Sequence, residues 1–259
     1  TVINPPIISY DIETVSPDIV GSGMTTGFEL SLSNIGDVGV TLDTLSEFII
    51  TNIDTSLRSY LTEPVFIDAG SNGASLIFSE SVIPTTMVPG YYTPILSLVG
   101  TDANNNEFNQ NNLLLNPNAV AIAGMVINQV ICSYDEVWPG LSDISVDVSV
   151  TNESIFTANN FSVLLTFGDY TGEYGQAITE SVESLDPGES GSFVFSVSVS
   201  SDATYGLMTV DANVSANVDG NTIYQFGANA PHSWTVLSPS SVSYIPESFN
   251  PGVIAQEQS

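Results

Sequence analysis

The residues Ile144-Ser145-Val146-Asp147-Val148-Ser149-Val150-Thr151 alternate apolar and polar side chains without a break. Successive side chains of a β-strand point to opposite faces, whereas a helix would scatter these aliphatic groups over opposite sides of its cylinder. Such a run is a strand with one face on a core and the other in water, as in antiparallel sheets. Phe193-Val194-Phe195-Ser196-Val197-Ser198-Val199-Ser200 nearly repeats it, as does Phe28-Glu29-Leu30-Ser31-Leu32-Ser33. Met208 to Val218 continues the pattern through Val210, Ala212, Val214 and Ala216. Turn chemistry separates the runs at Pro89-Gly90, Pro139-Gly140, Asp186-Pro187-Gly188 and Asp219-Gly220-Asn221. No window carries a convincing helical stripe, so the chain reads as all-β.

The two halves repeat each other. Ser31-Leu32-Ser33-Asn34-Ile35-Gly36 matches Ser149-Val150-Thr151-Asn152-Glu153-Ser154, each a strand ending in Asn. Ile67-Asp68-Ala69-Gly70 matches Leu185-Asp186-Pro187-Gly188, and Pro89-Gly90-Tyr91 matches Tyr205-Gly206-Leu207. The offset stays near 117 residues. A unit of that length with closely spaced strands fits a seven-stranded sandwich. The expected division is 1–118 and 119–238, two tandem antiparallel β-sandwiches, with the joint in the Asn-rich stretch Asn104 to Asn118. A third copy then begins. Val242-Ser243-Tyr244-Ile245-Pro246-Glu247-Ser248-Phe249-Asn250-Pro251-Gly252 is similar to Ile131-Cys132-Ser133-Tyr134 through Gly140, and also to Ile8-Ser9-Tyr10 through Pro17. Residues 239–259 are therefore expected to be an extended strand like the first strand of a further repeat.

These motifs together resemble the tandem immunoglobulin-like, CARDB-like repeats of bacterial and archaeal surface or secreted proteins. They are a Tyr-containing first strand, a turn with Pro, a strand ending in Asn, Leu185-Asp186-Pro187-Gly188 and Pro89-Gly90-Tyr91. The resemblance implies Ig-like sandwiches strung along stalks, adhesins or coat components, and it transfers no catalytic residue. Glu153-Ser154 departs from the Asn-x-Gly of the pattern.

Charge narrows the function classes. The 259 residues hold 29 acids and a single basic residue, Arg58, for a formal net charge of −28. Nothing can neutralise a phosphate backbone, so no nucleic-acid partner is expected, nor a polybasic grip on anionic lipid. Without lysine there is no Schiff base and no P-loop lysine. One histidine (His232) and one cysteine (Cys132) make no Cys/His metal cluster and no intrachain disulfide. No apolar run is long enough for a membrane span. The Ser, Thr and Asn content and the near absence of tryptic sites point to an extracellular or cell-surface location. The N-terminus reads as a processed end or the edge of a fragment.

Candidate sites are few. Asp102-Ala103-Asn104-Asn105-Asn106-Glu107 begins like a calcium loop, but Glu107 and Leu113 stand where an EF-hand needs Gly and Glu, so a plain hairpin is the reading. No cofactor is expected, with structural Ca²⁺ left open because unpaired acids welcome divalent cations. His232 reads as a surface or packing residue, since no nucleophile accompanies it. Cys132 reads as a buried small hydrophobe, with an intermolecular disulfide as the alternative. Tyr91, Tyr92, Tyr170 and Tyr174 are candidates for a sugar-binding platform or for packing at an edge or seam. Asn152, Asn160 and Asn213 head N-x-Ser sequons and are glycosylation candidates. No carboxylate pair sits in a recognisable hydrolase setting, and the chain is expected not to be an enzyme.

The tail points to assembly. A strand carrying the repeat's own pattern can complete a neighbour's sheet by strand addition. Identical chains joined head to tail make an open filament unless the rotation closes. Val242, Tyr244, Ile245, Phe249, Val253 and Ile254 supply the apolar groups, each contributing roughly 1.5–3 kcal/mol when buried. Ordering opposes this by about 1–2 kcal/mol per residue, so the tail must join a preformed sheet. The expected function is a structural subunit or stalk repeat of an extracellular filament, sheath or surface layer, its partners copies of itself. An adhesin or carbohydrate-binding module of a larger secreted protein is the alternative.

Overall fold

A computed structural model describes residues 4–10, 15–168 and 171–238. The expected C-terminal strand, with Val242, Tyr244, Ile245, Phe249, Val253 and Ile254, lies outside the described residues, as does Tyr170. The described chain is all-β. The first unit holds β1 (Ile8–Tyr10), β2 (Ile19–Gly21), β3 (Thr25–Asn34), β4 (Val40–Leu42), β5 (Glu47–Thr51), β6 (Ser56–Tyr60), β7 (Val65–Ile67), β8 (Ala74–Val82), β9 (Gly90–Tyr92), β10 (Ile95–Asp102), β11 (Glu107–Leu114) and β12 (Val120–Ala123). The second holds β13 (Met125–Cys132), β14 (Glu136–Val137), β15 (Ile144–Asn152), β16 (Ala158–Thr166), β17 (Tyr174–Glu180), β18 (Ser184–Leu185), β19 (Ser190–Val199), β20 (Gly206–Val218), β21 (Asn221–Phe226) and β22 (His232–Val236). Among the described residues, no helix is long and apolar enough to cross a membrane.

Each unit is a sandwich of two sheets. In the second, β13-β15-β19-β17 covers β14-β22-β20-β16-β18, with β21 on β20. In the first, β1-β3-β8 covers β6-β5-β10-β4-β7, with β11 on β10. Alternation dictates what faces inward. Ile144, Val146, Val148 and Val150 of β15 are fully buried, and so are Phe193, Phe195 and Val197 of the neighbouring β19. Each unit builds its own apolar cluster, the first around Phe28, Phe48 and Phe78, the second around Phe167, Phe193 and Trp234.

The strand-ending asparagines hold equivalent junctions. The buried Asn34 amide donates to the carbonyls of Val38 and Ile67, while its Oδ1 accepts from the Ile7 and Gly36 amides. Asn152, also buried, donates to Phe156 and Leu185 and accepts from the Ser154 amide and hydroxyl. The units differ in one strand. β6 pairs with β5, whereas its counterpart β17 crosses to pair with β19 in the other sheet. Arg58 on β6 bonds Glu47 on β5 across that ladder and favours the first arrangement.

Two expectations are corrected. Asn104 to Asn118 is not the joint: Glu107–Leu114 is β11, hairpinned onto β10, and the first sandwich ends with β12. Its asparagines turn outward from an edge strand while Phe108 turns in, and solvated amides tolerate that position. The division falls at Gly124, between β12 and β13. The start of the repeat also shifts register. Ile8 pairs with Asn34 as Met125 pairs with Asn152, so Ile8–Tyr10 corresponds to Met125–Ile127. Val15–Gly23 then corresponds to Cys132–Gly140, with Val15 and Cys132 buried and Gly23 and Gly140 both at positive φ.

Candidate functional site

The best-built feature is the seam between the sandwiches. β12 runs parallel to β2 and antiparallel to β9, a three-stranded ribbon at the lower end of the first unit. Its inward residues Val20, Val120 and Ile122 belong to the first core, while Ile19, Ala121 and Ala123 pack into the core of the second. β2 and β12 are thus buried on both faces, which is why Val120-Ala121-Ile122-Ala123 is apolar without alternation. Two rows face the second unit, Ile19, Ala121 and Tyr91, then Gly21 and Ala123, with Pro89 beside Gly124. The Tyr91 ring meets Phe156 edge-on, centroids 5.7 Å apart at 83°.

Small residues permit the close approach. A Cβ on Gly124 would come within 2.7 Å of Pro89 Cγ, and one on Gly21 within 3.1 Å of Ile223 Cγ2. The Gly124 carbonyl accepts the Glu153 amide at 3.0 Å, and the Ser22 amide donates to Ala123 at 3.0 Å. Beside the seam runs a groove of ≈ 470 Å³ between Ser22–Thr25 with Thr85 and Tyr224–Phe226. The Tyr224 and Phe226 rings lie parallel there, centroids 6.2 Å apart, and both are exposed.

The glycosylation candidates separate. Asn152 is corrected: its side chain is fully buried and its amide hydrogens are engaged by two carbonyls, which leaves no room for a glycan in the folded unit. Asn160 is exposed at a bulge of β16, with φ 52°. Asn213 is half-buried on the outer face of β20, where its Oδ1 accepts from the Gly227 amide.

Among the described residues, Tyr91, Tyr92 and Tyr174 do not come together as a platform. Tyr174 is buried, its ring stacked on Phe167 at 4.4 Å and tilted against Trp234. Tyr92 donates its hydroxyl to the Val88 carbonyl, and Tyr91 serves the seam. The exposed parallel pair is Tyr224–Phe226, detectable in sequence only as two aromatic residues at the same-face spacing of a strand.

Asp102 closes the β10–β11 hairpin. Its carboxylate accepts from the Asn104 and Asn106 amides and the Asn106 side chain, which together hold its pKa below the ordinary value, the Asn106 side chain foremost. Those bonds give the Asp-Asn-rich loop a structural account. His232 opens β22 with Nε2 3.3 Å from Asp135 Oδ1, too oblique for a hydrogen bond.

Cys132 is a free, buried thiol whose pKa burial pushes up to about 12, with the Asp135 charge adding to the rise. The thiolate is the reactive form. Native protein at pH 8 is expected to resist iodoacetamide, and urea-unfolded protein to be labelled stoichiometrically, by intact mass. Equal labelling of both would show that the thiol is accessible.

No family model matches the sequence, and no curated protein matches it. Among solved structures the chain is similar to a protein of unknown function from Porphyromonas gingivalis, at 12% identity over 90% of this chain and 98% of that one, TM-score 0.29. Red sea bream transglutaminase aligns at 11% identity over 92% of this chain and 32% of that one, TM-score 0.34. A Salmonella alpha-2-macroglobulin aligns at 9% identity over 90% of this chain and 16% of that one, TM-score 0.36. Likeness at these scores carries no argument about function.

Proposed function

We propose that this chain is a structural, non-enzymatic subunit or stalk repeat of an extracellular filament, sheath or surface layer, built from CARDB-like repeats and joined head to tail by β-strand donation. The observation that carries the reading is the seam. The chain passes from β12 through Gly124 into β13 without an intervening loop, and β2 and β12 are packed from both sides. A spacer that must hold its ends apart needs such a joint; a catalytic or purely tethering protein does not. The tail supports the same reading, because Ser243-Tyr244 and Phe249-Asn250-Pro251-Gly252 follow the pattern of Ser133-Tyr134 and Val137-Trp138-Pro139-Gly140. In the second unit that segment runs from the end of β13, on β15, into β14, on β22. A tail of this pattern has hydrogen-bonding partners ready in any sandwich of the same kind whose own first strand is short.

Removing residues 240–259 is expected to leave both cores intact and to abolish polymers, seen by electron microscopy and light scattering. Polymers that persist in the truncated protein would end the strand-donation reading. The parallel Tyr224–Phe226 rings beside the polar groups of Thr25, Thr85 and Gln225 favour carbohydrate binding as the second reading. Glycan binding of that kind survives the same truncation.

A further inference from the structure

The seam has a counterpart at the far end of the second unit. β14 runs parallel to β22, and β22 antiparallel to the start of β20, just as β2, β12 and β9 are arranged. The inward residues Val137, Trp234 and Val236 are buried, as Val20, Val120 and Ile122 are. The outward row is Glu136, Thr235 and Leu207, and by strand alternation Trp138, Leu237 and Tyr205 follow it on the same face. At the seam Ile19, Gly21, Ala121 and Ala123 of the corresponding rows are buried under the next sandwich, while Tyr91 stays half exposed at the edge. Here Trp138, Tyr205, Leu207 and Leu237 are exposed, Leu207 by 76%.

The opposite end of the molecule carries the matching face. At the seam the second unit presents Gly124, Glu153 and Phe156 to the first. The same positions at the upper end of the first unit are Ile7, Ile35 and Val38. The equivalence is fixed by hydrogen bonding, since the Ile35 amide donates to the Ile7 carbonyl at 2.9 Å as Glu153 does to Gly124. Ile7 is exposed and Ile35 is 63% exposed, so an apolar group stands where the seam has a glycine or a carboxylate. The lining differs: Trp138 stands where the seam has Gly21, and by the ladder register Ile223 and Tyr224 of β21 correspond to Phe108 and Asn109 of β11.

From this we infer that the outer face of β14, β22 and the start of β20 docks the Ile7–Ile35–Val38 end of a second copy of this chain, adding a seam between molecules to the one within. The inference rests on the head-to-tail reading above and names its rigid contact, which is separate from the donated strand. The contact is heterologous, so each molecule keeps one free face of each kind and the assembly stays open. Because the chains carry −28 each, association strengthens with added salt, the reverse of an interface made of ion pairs.

The test is sedimentation velocity of the full chain across concentration at high salt. Wild type is expected to form concentration-dependent oligomers. Trp138→Ser with Leu207→Ser is expected to weaken them about thirty-fold or more, the loss typical of truncating an interfacial aromatic anchor. Ile35→Asp is expected to do the same from the other face. Both sets of side chains are exposed, so the fold is retained, as circular dichroism will report. Mixing the two variants restores a one-to-one dimer and nothing larger, since each has one intact face. In oxidised Val38→Cys/Leu207→Cys protein, a ladder of covalent multimers forms, whereas either single variant gives none. Wild type that stays monomeric, or association indifferent to both variants, overturns the inference. If Tyr244→Pro abolishes assembly while Trp138→Ser/Leu207→Ser leaves it intact, strand donation stands and this contact falls. The converse result retains the contact and removes strand donation.

Discussion

Asn152→Ala is expected to destabilise the second sandwich by about 3 kcal/mol, because it orphans several groups at once. The Leu185 carbonyl loses the Asn152 donor, the Phe156 carbonyl keeps only the Ser154 hydroxyl, and the Ser154 amide loses its acceptor, at a site closed to water. Each buried polar group left unmatched costs about 1–3 kcal/mol, and the existing Ser154–Phe156 bond keeps the total at the lower end. Asn152→Asp is expected to be worse still, since a carboxylate would face two carbonyl oxygens. Asn34→Ala makes the independent check. Its amide spans Val38 and Ile67 in the same way, so urea unfolding should lose a comparable amount in the first sandwich. A loss below about 1 kcal/mol at both sites would mean that these bonds do not hold the strand junctions.

Trp234→Ala is expected to cost about 3–5 kcal/mol, the range for emptying a large aromatic site. The ring is fully buried, 5.9 Å from Phe167 and 5.8 Å from Tyr174, and no small movement closes that space. Trp234→Phe gives the informative contrast. Among the described residues the indole Nε1 is buried without a hydrogen-bond partner, so phenylalanine removes an unmet donor along with some volume. Its cost should fall to about 1–2 kcal/mol, net of the smaller cavity. Equal losses for the two substitutions, measured by thermal and urea unfolding, would show that the stacked rings carry little of the stability.

What could be read from the chain depended on whether the cause was local. The alternation of Ile144, Val146, Val148 and Val150 is a local pattern, and it specifies both the strand and its buried face. The repeat of Asn34 at Asn152 was equally visible, yet the sequon motif treats Asn152 as a surface site because it registers neighbours in sequence only. The partners that bury it, above all Leu185, come from another strand. Tyr174 misleads for the same reason: its exposure is decided by Phe167 and Trp234, and no spacing rule brings Trp234 beside it. The Asn104 to Asn118 stretch looks like a linker by composition, although Phe108 already keeps the beat of a strand. The seam left one local trace, the unbroken Val120-Ala121-Ile122-Ala123, whose double-sided burial explains the missing alternation.

The parallel pairing of β2 with β12, and of β14 with β22, has a mechanical consequence. In each sandwich an early strand lies alongside a late one, and in the first the chain leaves that late strand through Gly124 into the second unit. Tension along such a rod pulls the two strands past one another in shear, so their ladder bonds are strained together instead of being peeled open singly. A stack of these units would behave as a stiff cable whose resistance to stretching is set at the joints, where Gly124 leaves almost no slack.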